Sequence, residues 1–478
     1  MRTRMTLAQV ATWLGQAQPV GLDAAAPVAI ARVHTDTRTL QPGDLFVALR
    51  GERFDANAFL VEARAKGAVA ALCQGDKAAA QLAQAGLPGL VVADARLALA
   101  QLATHYRAQF SLPLIAVTGS NGKTTVTQMI AAILHAAQGD AALATQGNLN
   151  NDIGVPLTVA RLTSEHRTAV VELGMNHPGE IATLAAIAQP TVALVNNAQR
   201  EHLEFMHTVQ GVAEENGAVI SALPADGVAV FPADDAYSAV WVELAGARRV
   251  LRFAAQAPAD AKADAEVYAL QTHWQDAAWQ VCAATPVGEL RYSLHIAGAH
   301  NVKNSLAAVA CALAAGVASE AITAGLSAFE PVKGRSRALQ VSLSGRSITV
   351  VDDTYNANPD SVRAAIDVLA ALPGPCLLVL GDMGEVGDQG PLFHAEALTH
   401  ALEKNIEKVL VTGVQSAQAA MKFDDVRVCV EMIDLQAAVL AALPGVSSVL
   451  VKGSRFMKME RVVEAIVAAT QESRAAAC

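Results

Sequence analysis

The sequence predicts an α/β protein of three domains, in which parallel sheets are covered by helices. The chain has 478 residues, whereas a single domain usually contains about 150. Short apolar runs that end in Gly, Asp or Asn alternate with stretches of helical length, which is typical of parallel sheets with helices on both faces. We place a small α/β domain at residues 1–110, a central parallel-sheet domain at 111–328 and a second doubly wound domain at 329–478.

Composition and charge argue against several classes of protein. The formal net charge is -10, so nucleic acid is not expected as a main partner. The six cysteines form no C-x-x-C pair, which argues against a metal cluster and fits a reducing cytoplasm. The first residues favour an amphipathic helix over a signal peptide. The apolar run from Leu306 is shorter than the roughly 20 residues that span a membrane, so we expect a cytoplasmic protein without membrane insertion.

Short elements are predicted in the first and third segments. The run from Asp44 to Gly51 predicts a strand, and "AFLVEARAKGAVAAL" predicts a helix that leads past Gly67 into a buried strand. The third segment contains "SITVVDDTYN", "CLLVLGDM", "KVLVTG" and "SSVLVKGS". These apolar strands, separated by stretches of helical length, predict a Rossmann-like domain. Ligands of such folds bind beyond the carboxyl ends of the strands.

The central segment contains a glycine-rich loop between a buried strand and a helix, in "PLIAVTGSNGKTT". Its form is G-x-x-G-K-T-T, and Val117 stands where the usual phosphate loop has its first glycine. Backbone N–H groups at the start of such a helix bind phosphate. Lys123 would neutralise the terminal phosphates, and Thr124 would offer its hydroxyl to Mg²⁺. The residues expected to bind the nucleotide are Gly119, Ser120, Asn121, Gly122, Lys123, Thr124 and Thr125.

Other polar residues follow or precede apolar elements. Glu172 ends "TAVVE", where a second Mg²⁺ contact is needed, although a solvated acid is also common there. His202 follows "TVALVNN" and is either structural or a contact to metal or phosphate. Asn301 and Asn304 precede the apolar helix and either cap it or pair with an adenine edge. The run "GDMGEVG" lacks G-x-G-x-x-G, so we interpret it as a structural turn.

Taken in order, these stretches resemble the Mur ligase family over nearly the whole chain. The loop without a leading glycine looks like that family's own phosphate loop. Further marks are "TDTRTLQPGDLFVALRGERFDANAF", "TQGNLNNDIGVPLT", "VVDDTYNANPDS", "VLGDMGEVG" and "VKGSRFMKME". Within the family the resemblance is to the member that adds D-alanyl-D-alanine to UDP-N-acetylmuramoyl-tripeptide. The D-N-P-R tetrad that is usual in the member adding the diamino acid is absent from the chain.

The resemblance implies how the substrates are shared among the domains. The first domain would hold the UDP end, the central domain would bind ATP and the sugar-peptide, and the third would close over the site and present the dipeptide. The residues so implied are Asp36, Thr37 and Arg38 near UDP, Asn148 and Asn150 at the sugar-peptide, and Arg335 and Asp353 at the nucleotide.

The resemblance also implies that ATP converts a substrate carboxylate into an acyl phosphate, which the dipeptide amine then attacks. Both reacting oxygens are negative, so catalysis would consist mainly of positioned cations. Lys123 and Arg335 would supply positive charge, with one Mg²⁺ on Thr124 and Glu172 and a second near His202. We expect Lys123, Glu172 and His202 to be the catalytic residues of a monomeric enzyme.

One position departs from the family pattern. A lysine that carries a carbamate formed from CO₂ usually follows the H-L-E loop, within a pattern close to A-K-G-E. Here "GVAEENGAVI" places Asn216 at that position, and no lysine occurs between Lys123 and Lys262. We therefore expect no lysine carbamate. Asn216 could hold a metal-bound water, Glu214 or Glu215 could supply the missing charge, or Asn216 could merely fill space.

Two alternatives remain open on the sequence alone. Another Mur-type ligase, or the related folate polyglutamylating enzyme, would use the same ATP chemistry on a different acceptor. A nucleotide-switch protein without ligase activity would normally carry N-K-x-D, and no Asn-Lys dipeptide occurs in the chain.

Overall fold

The computed structural model describes residues 4–23, 26–52, 54–257, 265–275 and 278–475. Three sheet-based units follow one another along the chain, together with a small two-stranded sheet near the N-terminus. The α/β class and the three-domain order predicted from the sequence are confirmed. Within the described ranges, no helix combines the length and the apolar character needed to cross a membrane.

The N-terminal unit is a small sheet with helices against it. Its strands are β1 (Met5–Thr6), β2 (Gln18–Val20), β3 (Ala29–Ile30), β4 (Arg32–His34), β5 (Asp44–Val47), β6 (Ala70–Gln74) and β7 (Gly89–Val92), and its helices are α1 (Leu7–Leu14), α2 (Leu60–Ala65), α3 (Ala78–Ala85) and α4 (Ala95–Arg107). The five-stranded sheet has the order β2-β7-β6-β5-β4. Strand β5 ends before the predicted Gly51, because the chain turns where the Leu49 N–H bonds to the Val47 carbonyl at 3.0 Å.

The central unit is a nine-stranded sheet in the order β16-β15-β14-β13-β12-β11-β8-β10-β9. Its strands are β8 (Leu114–Thr118), β9 (Ala142–Ala144), β10 (Thr168–Glu172), β11 (Val192–Val195), β12 (Val228–Pro232), β13 (Arg249–Ala254), β14 (Val267–Gln275), β15 (Ala278–Thr285) and β16 (Gly288–Leu294). Its helices are α5 (Lys123–Gln138), α6 (Gly154–Val159), α7 (Glu180–Ala188), α8 (Leu203–Met206), α9 (Val209–Ser221), α10 (Ser238–Ala245), α11 (Ala299–Ala314) and α12 (Ser319–Ser327).

Strand β8 lies between β10 and β11, and all three are parallel. Val126, Ile130, Ile133 and Leu134 form an apolar face of α5 and are buried. The antiparallel strands β14, β15 and β16 were not predicted. Their sequence alternates polar and apolar residues, so they lack the continuous apolar runs that mark the buried parallel strands.

The C-terminal unit is a six-stranded sheet in the order β17-β18-β22-β19-β20-β21. Its strands are β17 (Arg337–Leu343), β18 (Arg346–Asp353), β19 (Cys376–Leu380), β20 (Lys408–Val411), β21 (Val426–Val428) and β22 (Ser448–Lys452). Its helices are α13 (Pro359–Ala370), α14 (Gly390–Glu403), α15 (Val414–Ala420), α16 (Met432–Ala442) and α17 (Glu460–Ala475). All pairs are parallel except the β17–β18 hairpin, which agrees with the predicted doubly wound unit.

The N-terminal and central units share an apolar core, whereas the C-terminal unit has cores of its own. One apolar cluster runs from the N-terminal sheet through α4 into the central sheet. The Tyr106 hydroxyl on α4 donates to the Leu162 carbonyl at 2.8 Å, and the Arg107 guanidinium donates to the Ala188 carbonyl at 2.9 Å. The C-terminal unit has its own apolar clusters on the two faces of its sheet. A unit with a separate core can move as a body relative to the rest of the chain.

Candidate active site between the central and C-terminal domains

A cavity of about 1300 Å³ lies at the carboxyl ends of the central parallel strands and faces the C-terminal unit. Ligands of open parallel sheets bind at this edge, where neighbouring connections leave in opposite directions. Most of the residues predicted from the sequence meet here. They are Ser120, Asn121, Gly122, Lys123, Thr124, Thr125, Asn150, Glu172, His202, Asn301, Asn304, Arg335 and Asp353.

The phosphate loop turns sharply because two glycines adopt conformations that other residues avoid. Gly119 has φ 128 and Gly122 has φ 82. A Cβ atom on Gly119 would lie 2.9 Å from the Asn196 backbone nitrogen, and one on Gly122 would lie 2.7 Å from Asn304 Oδ1. Close packing of the loop against the next strand therefore requires glycine at both positions. Gly122 and the first residues of α5 line the cavity, where the loop motif predicts a phosphate site.

Lys123 lies at the mouth of this loop. Its ammonium group donates to the Gly119 carbonyl at 2.6 Å and to the Ser120 carbonyl at 3.1 Å, and it forms an ion pair with Glu201 Oε1 at 2.8 Å. The side chains of Lys123 and Glu201 are 14% and 11% exposed. Glu201 was not predicted as a site residue, because one acid in the polar run "NNAQREHLEF" carries no motif of its own.

Glu172 is held beside the phosphate loop by strand pairing. It lies opposite Val117 on β8, and it is 2% exposed. The Thr124 hydroxyl donates to Glu172 Oε1 at 3.1 Å, and the Asn150 amide donates to the same oxygen at 2.7 Å. The other carboxylate oxygen is buried without a hydrogen-bond partner. Hard oxygen donors with one free carboxylate oxygen fit Mg²⁺, so Thr124 and Glu172 suit the first metal.

The surroundings of the His202 side chain differ from those expected for a metal ligand. Its Nε2 lies 3.4 Å from Glu201 Oε1, and its Nδ1 lies 2.6 Å from Glu385 Oε2 of the C-terminal unit. Burial lowers the pKa of His202, but the two carboxylates outweigh burial and raise that pKa to about 9. Both ring nitrogens therefore face carboxylates, and a second Mg²⁺ at His202 would have to displace one of these contacts. Among the described residues, no group of three or more His, Cys, Asp or Glu side chains could hold a metal ion.

Glu385 belongs to the run that the sequence predicts to be a structural turn. The chain bends at Gly384 and Glu385, and Glu385 has φ 57. It also places a carboxylate against His202 across the domain boundary. Glycine spacing, on which the predicted turn rests, carries no information about this contact.

Asn301 and Asn304 do not cap α11, so the capping alternative is wrong. The N-cap is Gly298, and both asparagines lie inside the helix. The Asn304 amide donates to Asn301 Oδ1 at 2.9 Å, and the Asn196 amide donates to Asn304 Oδ1 at 3.0 Å and to the Asn121 carbonyl at 2.7 Å. These contacts form an amide network that reaches the phosphate loop from α11. Asn196 was not predicted as a site residue, because in the sequence it is one of several polar residues in a loop.

The C-terminal wall of the cavity carries charges of both signs, from Arg335 and Lys452 and from Asp353, Asp360 and Glu385. The Arg335 guanidinium lies 4.0 Å from the centre of the Tyr355 ring. Asp353 accepts from the Ser336 N–H at 2.9 Å and pairs with the Lys452 ammonium at 2.5 Å. Burial raises the pKa of the Asp353 carboxyl, but the Lys452 ammonium, the Ser336 N–H and His300 together bring this pKa below its ordinary value. Lys452 was not predicted, although it stands in the quoted "VKGSRFMKME".

The residues expected at the sugar-peptide and the UDP end are only partly brought to this cavity. Of the five, Asn150 alone lines it. Asn148 is exposed in the preceding turn. Asp36 caps a short 3₁₀ turn, Thr37–Thr39, and forms an exposed ion pair with Arg38 at 2.6 Å. The N-terminal unit reaches the cavity through α4 instead, where Arg96 pairs with Asp152 at 2.8 Å.

Asn216 does not reach the cavity among the described residues. Its amide oxygen accepts from the Thr118 hydroxyl at 2.6 Å and from the Gly119 N–H at 2.9 Å. Because both acceptor positions are taken, this oxygen is not free to hold a metal-bound water. Glu215 accepts from backbone N–H groups at the start of α7 at 2.8 Å, and Glu214 bonds to Gln210 at 2.8 Å on the exposed face of α9. Neither acid replaces a carbamate here.

Contacts across the domain boundary hold the C-terminal unit against the phosphate loop. The Asn358 amide donates to Asn121 Oδ1 at 2.9 Å. Arg200 follows β11 and pairs with Asp360 at 2.8 Å and with Glu396 at 2.8 Å. Its guanidinium carbon lies 5.2 Å from the centre of the Phe393 ring. Of the residues in these boundary contacts, Asn121 was predicted from the sequence as a site residue, whereas Arg200, Asn358, Asp360, Phe393 and Glu396 were not.

A phosphate loop that faces a second doubly wound unit across one cavity defines a multidomain nucleotide-binding enzyme. Comparisons with known proteins identify the family. Residues 29–107 match the Mur ligase family catalytic domain, residues 117–312 match the Mur ligase middle domain, and residues 334–455 match the Mur ligase glutamate ligase domain. The chain belongs to the Mur ligase family.

Individual relatives cover almost the whole chain. The UDP-N-acetylmuramoyl-tripeptide--D-alanyl-D-alanine ligase of Escherichia coli is 40% identical over 447 residues, which is 92% of this chain and 94% of that protein. The crystal structure of MurF from Acinetobacter baumannii superimposes with a TM-score of 0.85 at 33% identity, covering 96% of this chain and 98% of that one. MurF from Thermotoga maritima in complex with ADP has a TM-score of 0.78 at 25% identity and covers 92% and 98%.

Proposed function

We propose that this chain is the ATP-dependent ligase that joins D-alanyl-D-alanine to UDP-N-acetylmuramoyl-tripeptide in peptidoglycan precursor synthesis. The observation that carries the proposal is one cavity with the phosphate loop on one wall and Arg335 on the other. The relative that is 40% identical over 92% of the chain bears the name of this activity. Such a ligase needs residues from both walls, because ATP at the phosphate loop must react close to the dipeptide that the C-terminal domain is proposed to present.

The reaction requires positive charge around a transferred phosphoryl group. A carboxylate of the tripeptide repels an amine, and phosphorylation by ATP turns it into an acyl phosphate with a good leaving group. Lys123 would move from its carbonyl and Glu201 contacts onto the terminal phosphates. Arg335, stacked on Tyr355, would approach the same phosphates from the C-terminal wall. Such preorganised cations stabilise developing charge without reorganisation. The dipeptide amine would then displace phosphate.

The metal requirement is proposed from the oxygen donors of the site. Thr124 and Glu172 would hold one Mg²⁺, which when bound neutralises phosphate charge. We propose that His202 acts in the closed enzyme as a cation beside the phosphates. A second Mg²⁺ would need His202 to lose its proton and its carboxylate partners. No lysine carbamate is proposed, because Asn216 stands at the position where the family usually has the lysine.

Several further assignments belong to this proposal. The domains are residues 1–110 for the UDP end, 111–328 for ATP and 329–478 for closure. Asp36, Thr37, Arg38 and Asn148 are proposed to contact parts of the substrate that lie beyond the cavity, and Asn301 and Asn304 to face the adenine side. The enzyme is proposed to work as a cytoplasmic monomer. The buried, unpaired thiols Cys73, Cys282, Cys311, Cys376 and Cys429 support a reducing compartment.

The test is the dependence of phosphate release on substrates. The purified chain is incubated with ATP, Mg²⁺ and each substrate alone or in combination, and phosphate and product are both measured. We expect stoichiometric phosphate and peptide product only when UDP-N-acetylmuramoyl-tripeptide and D-alanyl-D-alanine are both present. Assays with the diaminopimelate and the lysine tripeptide define the accepted third residue. Release without either acceptor would indicate a nucleotide switch, and activity with glutamate and a folate would indicate the polyglutamylating alternative.

A further inference from the structure

We propose that Asn216 is a positioning residue that holds the start of the phosphate loop in its nucleotide-binding conformation. The inference rests on the proposed function, because the loop is taken to bind ATP. Asn216 is fully buried, and it lies behind the loop rather than in the cavity. It would therefore act on the nucleotide only through the backbone that the nucleotide touches.

The contacts of Asn216 are directed at the point where the strand becomes the loop. Its oxygen accepts from the Thr118 hydroxyl at 2.6 Å and from the Gly119 N–H at 2.9 Å, and its amide donates to the Val212 carbonyl at 3.0 Å. Thr118 is the last residue of β8, and Gly119 has φ 128. The Gly119 N–H is thus satisfied by a side chain from another element. Without that acceptor, a buried donor would be left unpaired or the loop would turn to satisfy it.

The helix that carries Asn216 is itself fixed in place. The Trp241 indole N–H on α10 donates to the Ala213 carbonyl at 3.0 Å. A Cβ on Gly217 would lie 2.4 Å from Leu244 Cδ1, so α9 and α10 are in close contact next to Asn216. At the N-terminus of α9, the Thr208 hydroxyl accepts from the Gly211 N–H at 3.0 Å. These contacts pack α9 closely against α10, so Asn216 presents its oxygen to the loop from a well-packed helix.

The experiment separates nucleotide binding from catalysis. We would measure the Kd of ADP by calorimetry, and the KM of each substrate, for wild type, Asn216→Ala, Thr118→Val and Thr118→Ser. Asn216→Ala is expected to raise the Kd of ADP and the KM of ATP about ten-fold, since it removes two hydrogen bonds from the loop. The KM values of the tripeptide nucleotide and the dipeptide should stay unchanged. Thr118→Val should show a smaller rise, and Thr118→Ser, which keeps the hydroxyl, should behave as wild type.

Coupling and control variants complete the test. Thr118→Val added to Asn216→Ala should cost less than the product of the single effects, because the two residues share one bond. Glu214→Ala on the exposed face of α9 should change nothing. An unchanged Kd for ADP in folded Asn216→Ala, or an equal rise in all three KM values, would overturn the inference. If Asn216→Ala does not fold, the Kd of ADP for Thr118→Val tests the inference instead. A raised Kd would support it, and an unchanged Kd would overturn it. Wild type that binds ADP but forms no peptide would instead refute the proposed function.

Discussion

The Arg200 guanidinium lies 2.8 Å from a carboxylate oxygen of Asp360, across the boundary between the central and C-terminal domains. The Arg200 backbone N–H also donates to Asp360 at 2.8 Å, and Glu396 binds the other side of the guanidinium. Arg200 follows the strand beside the phosphate loop, and Asp360 lies in the first turn of α13. The contact therefore joins the loops around the cavity to the C-terminal domain.

Arg200→Ala should shift the enzyme toward open arrangements. The side chains of Arg200 and Asp360 are 25% and 24% exposed, so we assign the contact roughly 1–2 kcal/mol, about ten-fold in the closure equilibrium. Small-angle scattering should give a larger radius of gyration for the free variant, and an ATP analogue with the sugar-peptide should compact it again. Arg291→Ala, which removes an exposed pair on β16, is the control. Equal radii for wild type and Arg200→Ala would contradict the prediction.

Lys123→Ala should abolish turnover while the protein remains folded. The side chain is at the mouth of a loop and not in an apolar core, so its truncation leaves no core cavity. The loss of one positioned cation at a transferred phosphoryl group is expected to lower kcat by at least about 100-fold. Product formation measures the loss, and circular dichroism checks the fold. Lys404→Ala, outside the cavity, serves as the matched lysine control. Near-normal ligation by folded Lys123→Ala would remove the phosphate-loop assignment.

The His202–Glu385 contact should make the domain boundary sensitive to alkaline pH. The pKa of His202 is raised to about 9 in the folded state, above the ordinary value of about 6.5. A raised pKa contributes stability that is complete below about pH 6.5 and is lost as pH rises through about 9. The thermal stability difference between wild type and Glu385→Gln should therefore be largest near pH 6 and vanish toward pH 10. A stability difference between wild type and Glu385→Gln that grows with pH would contradict this prediction.

Ligation should not depend on CO₂, because an amide cannot form a carbamate. The enzyme is assayed in decarbonated buffer, and bicarbonate is then added at constant pH and ionic strength. We expect the same rate before and after the addition. A marked fall in decarbonated buffer that bicarbonate reverses would mean that another amine carries the carbamate. Asn216→Lys, which restores the usual family residue, offers a comparison in which CO₂ dependence could appear.

Much of the site could be predicted because its residues stand at the ends of continuous apolar strands. Glu172 ends β10, Lys123 and Thr124 follow the end of β8 through the phosphate loop, and parallel pairing brings strand ends to one edge. Arg335 and Asp353 were found only through the family resemblance, since nothing in the residues themselves points to a nucleotide. The antiparallel strands β14 to β16 were missed because alternating residues there give a weaker pattern than a buried parallel strand.

The sequence by itself determined the α/β class, the phosphate loop and the absence of a lysine at position 216, because these depend on residue type and local spacing. Only the tertiary structure decided what those residues touch. It placed His202 between the carboxylates of Glu201 and Glu385. It also directed the Asn216 oxygen at Thr118 and Gly119, where the sequence had left a held water and a space-filling role open. The physical reason is that hydrogen-bond partners and burial come from residues far apart in the chain. Gly119 and Asn216 are separated by 97 positions, and no local pattern records their contact.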